Sequence, residues 1–313
     1  MNIAFHSNQL GIRGTEVALY DYALYNELIL GNKSYIISDA NSNLDTLKKF
    51  ESKFEVFLYQ TFNEINSFVD KLKIDSVYFI KAGDNDGKVA VNAKNLIHAV
   101  FQHKDPHGDK YAYVSKWLAE KMNMPNQYVP HIVWLPETTD NLRLKLSIPK
   151  HNIVIGRHGG FNDFDLPFVH KSVYEVAKER KDITFVFMNT RPFCPCLENI
   201  IHVNGTYNLQ NKANYISMCD YMLHARQHGE SFGLAISEFL FHDKPVISWK
   251  GGLDSNHLNL LNSNGLWYED YNSIKTILQN IQISQHTAGQ YKDLVTEFLP
   301  ANVMNQFNKI FLT

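Results

Sequence analysis

Two glutamates, eight residues apart, are the most informative pair of chemical groups in the chain. Glu230 and Glu238 lie in the segment GESFGLAISEFLFHDKPVISWKGG. Carboxylates accept hydrogen bonds from hydroxyl groups. The apolar run at 234–241 between and beyond them has helical spacing, and the N-terminus of such a helix directs unpaired amides towards an anion. The spacing therefore indicates a site for an elongated ligand that carries both phosphate and hydroxyl groups.

The neighbouring residues favour the same site. HGESFG predicts a turn, in which small or flexible residues let the backbone amides approach a ligand; the amide-bearing residues are Ser231, Phe232, Gly233 and Leu234. HDKPVISW predicts a tight turn into a buried strand, and the loop with Lys250 follows at the carboxyl end of that strand, where open α/β sheets bind ligands. The alternative is that the two acids are an ordinary helix-start residue and a solvated helix position.

This segment resembles the E-x7-E region of retaining GT-B glycosyltransferases of the family 4 type, which commonly reads E-G-F-G-L, three residues, E-A. The resemblance covers mainly residues 150–255. It implies an α/β protein with two Rossmann-like domains whose parallel sheets face each other across a cleft. It also implies that Glu238 binds the ribose hydroxyls of a nucleotide sugar and that Glu230 binds the hexose hydroxyls.

Length and composition agree with this class of enzyme. The 313 residues are 44% hydrophobic and can build two domain cores, and the net charge of −2 without a basic run argues against nucleic acid as a partner. The first residues, MNIAFHSN, predict a strand rather than a signal peptide, and no segment is apolar enough to span a bilayer. We expect a cytoplasmic protein, with peripheral membrane contact left open.

Cysteines and histidines give no metal pattern. Cys194, Cys196 and Cys219 are too few for a disulfide framework, and the C-x-C pair lacks the partner pair of a zinc site. The 14 histidines are scattered. We expect free thiols in a reducing compartment, no protein-bound metal, and no cofactor besides a nucleotide-diphosphate sugar as donor substrate.

Short apolar runs alternate with helical patterns along the chain, which predicts a parallel sheet in each half. The predicted strands are 1–6, 34–38, 54–59, 76–80, 99–102, 112–114, 153–156, 184–188, 200–203, 221–224 and 246–249. The predicted helices are 16–30, 44–50, 62–72, 116–122, 168–179, 210–218 and 274–281.

A stretch with three prolines that loses periodicity lies between Tyr128 and Asn152. We therefore place an N-terminal, acceptor-side Rossmann-like domain at 1–130, a linker at 131–152 and a nucleotide-sugar-binding domain at 153–300. Residues 301–313 predict a helix, and in GT-B proteins the final helix often crosses back to the N-terminal domain.

A glycine loop follows the first predicted strand in SNQLGIRGTEVALYDYA. Its spacing is not the G-x-G-x-x-G of a dinucleotide site, so we exclude NAD. In the resembling family a comparable loop faces the cleft near the diphosphate and acceptor, and Gly11, Arg13 and Gly14 match it. The alternative is a plain strand-to-helix turn with Thr15 as its N-cap.

Histidines in the segment FQHKDPHGDK match a second part of the resemblance. The family places a histidine at the end of a comparable strand, close to the donor sugar, and His103 has that position. The resemblance thus implies a catalytic role for His103, whereas His107 and Asp109 are weaker candidates for acceptor contacts.

The segment IVIGRHGGFNDFD agrees with the family only in part. Family members have G-R followed five or six residues later by a lysine, and both cations hold the donor diphosphate. Arg157 fits, because its guanidinium can bind two phosphate oxygens. Asp163 or its neighbours stand where the lysine should be, so charge compensation must come from Lys250, Arg226, Arg13 or His158. Either the contacts are rearranged or transferase activity has been lost.

Arg226, just after the predicted strand 221–224, has two interpretations: it neutralises phosphate, or it pairs with a surface acid. With Arg157 and the amides at 232–234 stabilising the leaving diphosphate, the resemblance implies retaining, metal-independent transfer of a hexose to a hydroxyl of a glycan, lipid or protein-linked acceptor. Two alternatives stay open, a noncatalytic nucleotide-sugar-binding subunit and a sugar-nucleotide epimerase.

Overall fold

The computed structural model describes residues 1–313, and the chain forms two compact units, Met1–Ile132 with Glu297–Thr313, and Val133–Thr296. The strands are β1 Asn2–Ser7, β2 Lys33–Asp39, β3 Glu55–Tyr59, β4 Ser76–Lys81, β5 Lys94–Ala99, β6 Lys110–Tyr113, β7 Ile153–Arg157, β8 Ile183–Met188, β9 Ile200–Val203, β10 Tyr221–His224, β11 Gly229–Glu230, β12 Val246–Trp249, β13 Asp254–Ser255 and β14 Leu266–Tyr268.

The helices alternate with these strands. They are α1 Gly14–Leu28, α2 Leu44–Glu51, α3 Ile65–Leu72, α4 Lys116–Lys121, α5 Leu142–Lys145, α6 Pro167–Glu179, α7 Leu209–Met218, α8 Leu234–Phe241, α9 Asn256–Leu261, α10 Tyr271–Asn280 and α11 Pro300–Phe307. Short 3₁₀ segments cover Phe62–Glu64, Asn262–Asn264 and Lys292–Phe298, and a π-helical turn, Asn308–Leu312, follows α11. None of the helices is both long and apolar enough to cross a membrane.

A six-stranded parallel sheet in the order β3-β2-β1-β4-β5-β6 forms the first unit. Every residue of β4 is buried, as expected for a parallel strand covered by helices on both faces. Phe307 of α11 packs within aromatic contact distance of Phe5, Tyr22 and Tyr78, so the end of the chain belongs to the core of this unit.

The second unit contains a six-stranded sheet in the order β14-β12-β10-β7-β8-β9, also parallel. Because β12, β10 and β7 are neighbours, their carboxyl ends bring Trp249, His224 and Arg157 to one edge of the sheet. A two-stranded pairing of β11 with β13 lies in the loops that follow β10 and β12. The predicted α/β class with two parallel sheets is confirmed.

The predicted strand 99–102 was wrong. The structure pairs β5, Lys94–Ala99, along β4, and the chain leaves the sheet after Ala99, so that Phe101 is exposed. Sequence reasoning missed β5 because His98 interrupts its apolar run; in the structure His98 is buried between the hydroxyl of Tyr78 and the carbonyl of Val129. Neither β14 nor the β11–β13 pair was predicted, because two- and three-residue strands have no periodicity to recognise.

Most of the segment proposed as a linker belongs to the second unit. Arg143 on α5 donates from Nε to the carbonyl of Met218 and from Nη2 to the carboxylate of Asp220, at 2.7 and 2.8 Å. Asp220 also accepts from the amide of Val154 at the start of β7. This network joins residues before β7 to the amino ends of β7 and β10.

Candidate functional site

Close backbone approach shapes the loop that carries Glu230. A Cβ added to Gly229 would lie 1.9 Å from the carbonyl oxygen of Asp254, and Gly229 has a φ of +77°. Gly233, with a φ of +92°, is the N-cap of α8. Because both positions require a left-handed conformation, glycine allows the chain to turn sharply from β11 into α8. Glu230 is thereby fixed beside the first turn of the helix.

Glu230 is ionised and held from two sides. Its Oε2 accepts from Nη1 of Arg226 at 3.0 Å, and its Oε1 lies 3.4 Å from Nε2 of His224. Burial alone would raise the pKa of Glu230, but the His224 contact and the Arg226 charge together lower it to about 2. The side chain keeps 19% of its surface exposed, so its carboxylate can reach a ligand.

Two buried histidines, His224 and His257, lie close enough to Glu230 to act on its charge. Nδ1 of His224 lies 2.9 Å from Oγ of Ser248 on β12, and the ring of His257 lies 4.9 Å from that of His224. Nε2 of His224 and Nδ1 of His257 are buried without a hydrogen bond. Burial lowers the pKa of His257 to about 4. His257 could not be identified from the sequence, because one histidine at the start of a helix forms no recognisable motif.

Glu238 lies deeper and has different partners. It is 3% exposed, and its Oε1 accepts from Nζ of Lys212 at 2.7 Å. Nε2 of His158 lies 3.1 Å from Oε2, at ion-pair distance but outside hydrogen-bond alignment, so this oxygen has no hydrogen bond. Burial would raise the pKa of Glu238, but the charge of Lys212 and the contact with His158 lower it to about 2.

Lys212 is a second residue of this site that sequence reasoning missed. It lies in the first turn of α7 and is 7% exposed. A signal was present, because Lys212 has the i, i+3, i+4 spacing with Tyr215 and Ile216 that marks the buried face of a helix. A lysine on such a face requires a buried anion as partner.

Arg157 is buried at the end of β7, and the protein itself uses most of its donors. Nη1 donates to Oγ1 of Thr190 at 2.7 Å and to the carbonyl of Asn189 at 3.3 Å, while Nη2 donates to the carbonyl of Gly160 at 2.9 Å. Burial lowers the pKa of Arg157 to about 10, which leaves it cationic at neutral pH. The side chain links the loops after β7 and β8.

The other proposed cations differ in position. Arg226 lies between two acids, with Nε 3.7 Å from Oδ2 of Asp163 in addition to its bond with Glu230. Arg226 therefore pairs with acids, and its neutralisation of phosphate stays a prediction. Lys250, by contrast, forms an ion pair with Glu269 at the surface.

Three of the four amide-bearing residues, Ser231, Phe232 and Gly233, lie directly before α8, and Leu234 begins it. Phe232 and Gly233 are buried, while Ser231 and Leu234 are half-buried. The carbonyl of Phe232 accepts from the side-chain amide of Asn256 at 2.6 Å, which ties the turn to the start of α9.

The candidates in the first unit lie in two loops. Gly11 is half-buried, and Arg13 and Gly14 are exposed. Arg13, not Thr15, is the N-cap of α1, and the hydroxyl of Thr15 instead donates to Glu16. The alternative with Thr15 as the N-cap was wrong in that detail, because the helix begins at Gly14, two residues earlier than a Thr15 cap requires.

His103 does not end a strand, because β5 already ends at Ala99. Its carbonyl accepts from the hydroxyl of Tyr113 at 2.8 Å. Nδ1 of His107 lies 2.8 Å from the carbonyl of Asp105, and its ring lies 5.6 Å from that of Tyr111. The functional roles of both histidines stay predictions.

Solved glycosyltransferase structures share this fold over nearly the whole chain. HepE from Anabaena, crystallised with UDP and glucose, is 13% identical, with 99% of this chain and 98% of HepE covered and a TM-score of 0.68. WaaG, a glycosyltransferase involved in lipopolysaccharide biosynthesis, is 10% identical, with 98% and 99% covered and a TM-score of 0.68. The chain has the GT-B fold.

A protein described as a UDP-N-acetylglucosamine 2-epimerase, from Listeria monocytogenes, has a similar fold: it is 12% identical, with 98% of this chain and 96% of the epimerase covered and a TM-score of 0.64. No protein-family model matches the sequence, and no curated protein matches it significantly. Family 4 membership therefore stays a prediction.

Within the second unit, Glu230 lies in the loop after β10 and Glu238 lies on α8, and α/β proteins bind ligands at the carboxyl edge of the sheet. Glu230 is a partly exposed carboxylate beside the start of α8, and Glu238 presents a buried oxygen that lacks a hydrogen bond. The helix start between them supplies backbone amides. Such a set can accept hydrogen bonds from hydroxyl groups on either side of an anion.

Proposed function

We propose that this protein is a glycosyltransferase that moves a hexose from a nucleotide-diphosphate sugar to a hydroxyl acceptor, with retention and without a metal. One observation carries the proposal: two ionised carboxylates, one just before α8 and one inside it, lie near the carboxyl edge of a parallel sheet. That HepE, which shares the fold, was crystallised with UDP-glucose supports this donor class.

The two carboxylates have separate tasks in the proposed complex. Glu230, partly exposed, accepts hydrogen bonds from the hexose hydroxyls. Glu238 accepts from a ribose hydroxyl, because its Oε2 is buried without a hydrogen bond and a ligand hydroxyl would satisfy it. Both groups position the donor.

The diphosphate lies at the start of α8, where Ser231, Phe232, Gly233 and Leu234 supply amides, and Arg157 and Arg226 supply positive charge. These groups stabilise the negative charge that grows on the leaving diphosphate. No side-chain nucleophile is required, since the departing phosphate itself deprotonates the acceptor on the same face of the sugar. The scheme therefore differs from that of a two-carboxylate hydrolase.

Residues of the first unit are proposed to serve the acceptor and the sugar. Gly11, Arg13 and Gly14 precede α1, and His103 and His107 follow β5. The acceptor is a glycan, a lipid or a protein-linked sugar, and we propose a cytoplasmic location.

Lys250 is a weaker candidate for donor binding, because Glu269 already forms an ion pair with it.

Two other functions have specific support. The fold shared with the Listeria epimerase favours epimerisation of the sugar nucleotide. A noncatalytic binding subunit is favoured by Asp163, an acid near the proposed phosphate position, and by the internal hydrogen bonds of Arg157.

A panel of UDP-, GDP-, ADP- and dTDP-sugars, scored by the rise in melting temperature, tests donor binding. Turnover with the best donor, with glycan and lipid acceptors and with EDTA present, then tests transfer, and NMR of the product reports the anomeric configuration. We expect a retained anomer that forms in EDTA. An altered free sugar nucleotide without acceptor would establish the epimerase, and binding without any turnover would favour the subunit.

A further inference from the structure

Arg157, Lys212 and Arg226 are cations near the carboxyl edge of the second sheet, and they are not equally available to a ligand. Arg157 is 4% exposed, and three of its hydrogen bonds go to Thr190, Asn189 and Gly160. Lys212 is buried against Glu238. A phosphate could bind either cation only by displacing buried contacts, which is unfavourable.

Arg226 is different. Its side chain is 24% exposed, and it reaches the same edge from the loop after β10. It is held by one hydrogen bond to Glu230 and by a looser contact with Asp163 at 3.7 Å. Burial would lower the pKa of Arg226, but the charges of Glu230 and Asp163 raise it, so the guanidinium is a permanent cation.

Asp163 is the weaker of the two partners. Its side chain is 43% exposed, and the carboxylate folds back over Gly160, where a Cβ would lie 2.3 Å from Oδ2. Exposed ion pairs of this kind contribute little to stability. An anionic group with more oxygens could therefore replace Asp163 beside Arg226 without disturbing the buried core.

We infer that Arg226 is the residue that binds the donor diphosphate directly, and that Asp163 is an internal counter-charge which the diphosphate must displace. This inference rests on the proposed function, because it assigns the phosphate contacts of the same site. Arg157 then acts as a positioning residue that holds the loops after β7 and β8 together. Asp163 lowers donor affinity, since it competes for the same guanidinium.

Calorimetric titration with a nucleoside diphosphate and its nucleoside separates phosphate contacts from base and ribose contacts. UDP and uridine are the first probes, and the GDP, ADP or dTDP pair replaces them where the donor panel selects another base. Arg226→Gln should weaken binding of the diphosphate about 10- to 100-fold and that of the nucleoside less than about twofold. Arg226→Lys should recover part of the loss.

Asp163→Asn should increase the affinity for the diphosphate. Misfolding would lower this affinity, so it could not produce the expected result. The diphosphate should bind about three- to tenfold more tightly, the nucleoside should bind unchanged, and the gain should disappear in the Asp163→Asn, Arg226→Gln double variant. Lys171→Gln and Asp293→Asn remove exposed charges elsewhere in the same unit and should change neither affinity.

Two results would overturn the inference alone: wild type binds the diphosphate but Asp163→Asn brings no gain, or Arg226→Gln weakens diphosphate and nucleoside equally. If wild-type protein binds none of the four nucleoside diphosphates, the proposed function fails and the inference fails with it.

Discussion

Nζ of Lys212 lies 2.7 Å from Oε1 of Glu238, and both side chains are buried. The pair joins the first turn of α7 to the middle of α8, 26 residues apart in the chain. A charge pair in this position fixes the orientation of the carboxylate that we propose to meet the ribose. It also means that Glu238 cannot be changed without an effect on stability.

Glu238→Gln should lower the free energy of unfolding by about 3 to 5 kcal/mol, because it leaves Lys212 buried without an anion. Glu238→Gln with Lys212→Met should recover most of this loss. Urea denaturation of the single and double variants measures both values. Donor affinity of Glu238→Gln should be compared with that of the double variant, which separates loss of the ribose contact from loss of stability. An unchanged urea midpoint for Glu238→Gln would contradict the pairing of Glu238 with Lys212.

Glu230→Gln should affect the sugar more than the nucleotide. The variant loses an ionised acceptor for hexose hydroxyls, so affinity for UDP-glucose should fall about 10- to 100-fold relative to affinity for UDP. Titration of both ligands gives the ratio. Glu198→Gln, an exposed acid of the same unit, is the control, and an unchanged ratio in Glu230→Gln would remove the hexose assignment.

Acid should destabilise the protein from about pH 6.5 downwards. Burial, with help from Lys81 and Lys88, lowers the pKa of His6 to about 3. Between those values the unfolded chain binds a proton at this residue and the folded chain does not, so the free energy of unfolding decreases as the pH falls. The paired glutamates, with pKa values of about 2, lose their contribution only below about pH 4.5.

His6→Phe should therefore reduce the dependence of stability on pH between 6 and 5 by up to about 1.4 kcal/mol per pH unit. Urea unfolding at several pH values measures the slope, and exposed His151→Gln is the control. Equal slopes for His6→Phe and wild type would show that His6 does not titrate differently on unfolding.

Gly229→Ala tests the turn that carries Glu230. The new Cβ would lie 1.9 Å from the carbonyl oxygen of Asp254. The alanine backbone would also be strained by the positive φ at this position. We expect a loss of about 3 kcal/mol or more and loss of donor binding. Gly289→Ala, with a φ of +87° and no neighbour within 3.8 Å, carries the strain alone and should cost about 1 kcal/mol. Equal losses in thermal unfolding would exclude the steric explanation.

Much of the fold follows from local patterns in the sequence. Runs such as 76–80, 184–188 and 221–224 are apolar and short, and the helices between them have amphipathic spacing. The α/β class could therefore be predicted without knowledge of tertiary contacts. The segment from Glu230 to Glu238 is also local: a glycine turn and an apolar helix place one acid just before the helix and the other inside it.

The partners of those acids could not be predicted in this way. Lys212 meets Glu238, His224 contacts Glu230 with His257 packed beside it, and Asp163 lies near Arg226. Each contact joins residues of different elements or loops. Local sequence patterns such as periodicity and motifs do not show which distant residues come into contact. The sequence thus determined the elements and the two carboxylates. Only the tertiary structure decided which charges neutralise them, because ion pairs depend on the distance between side chains rather than on their separation along the chain.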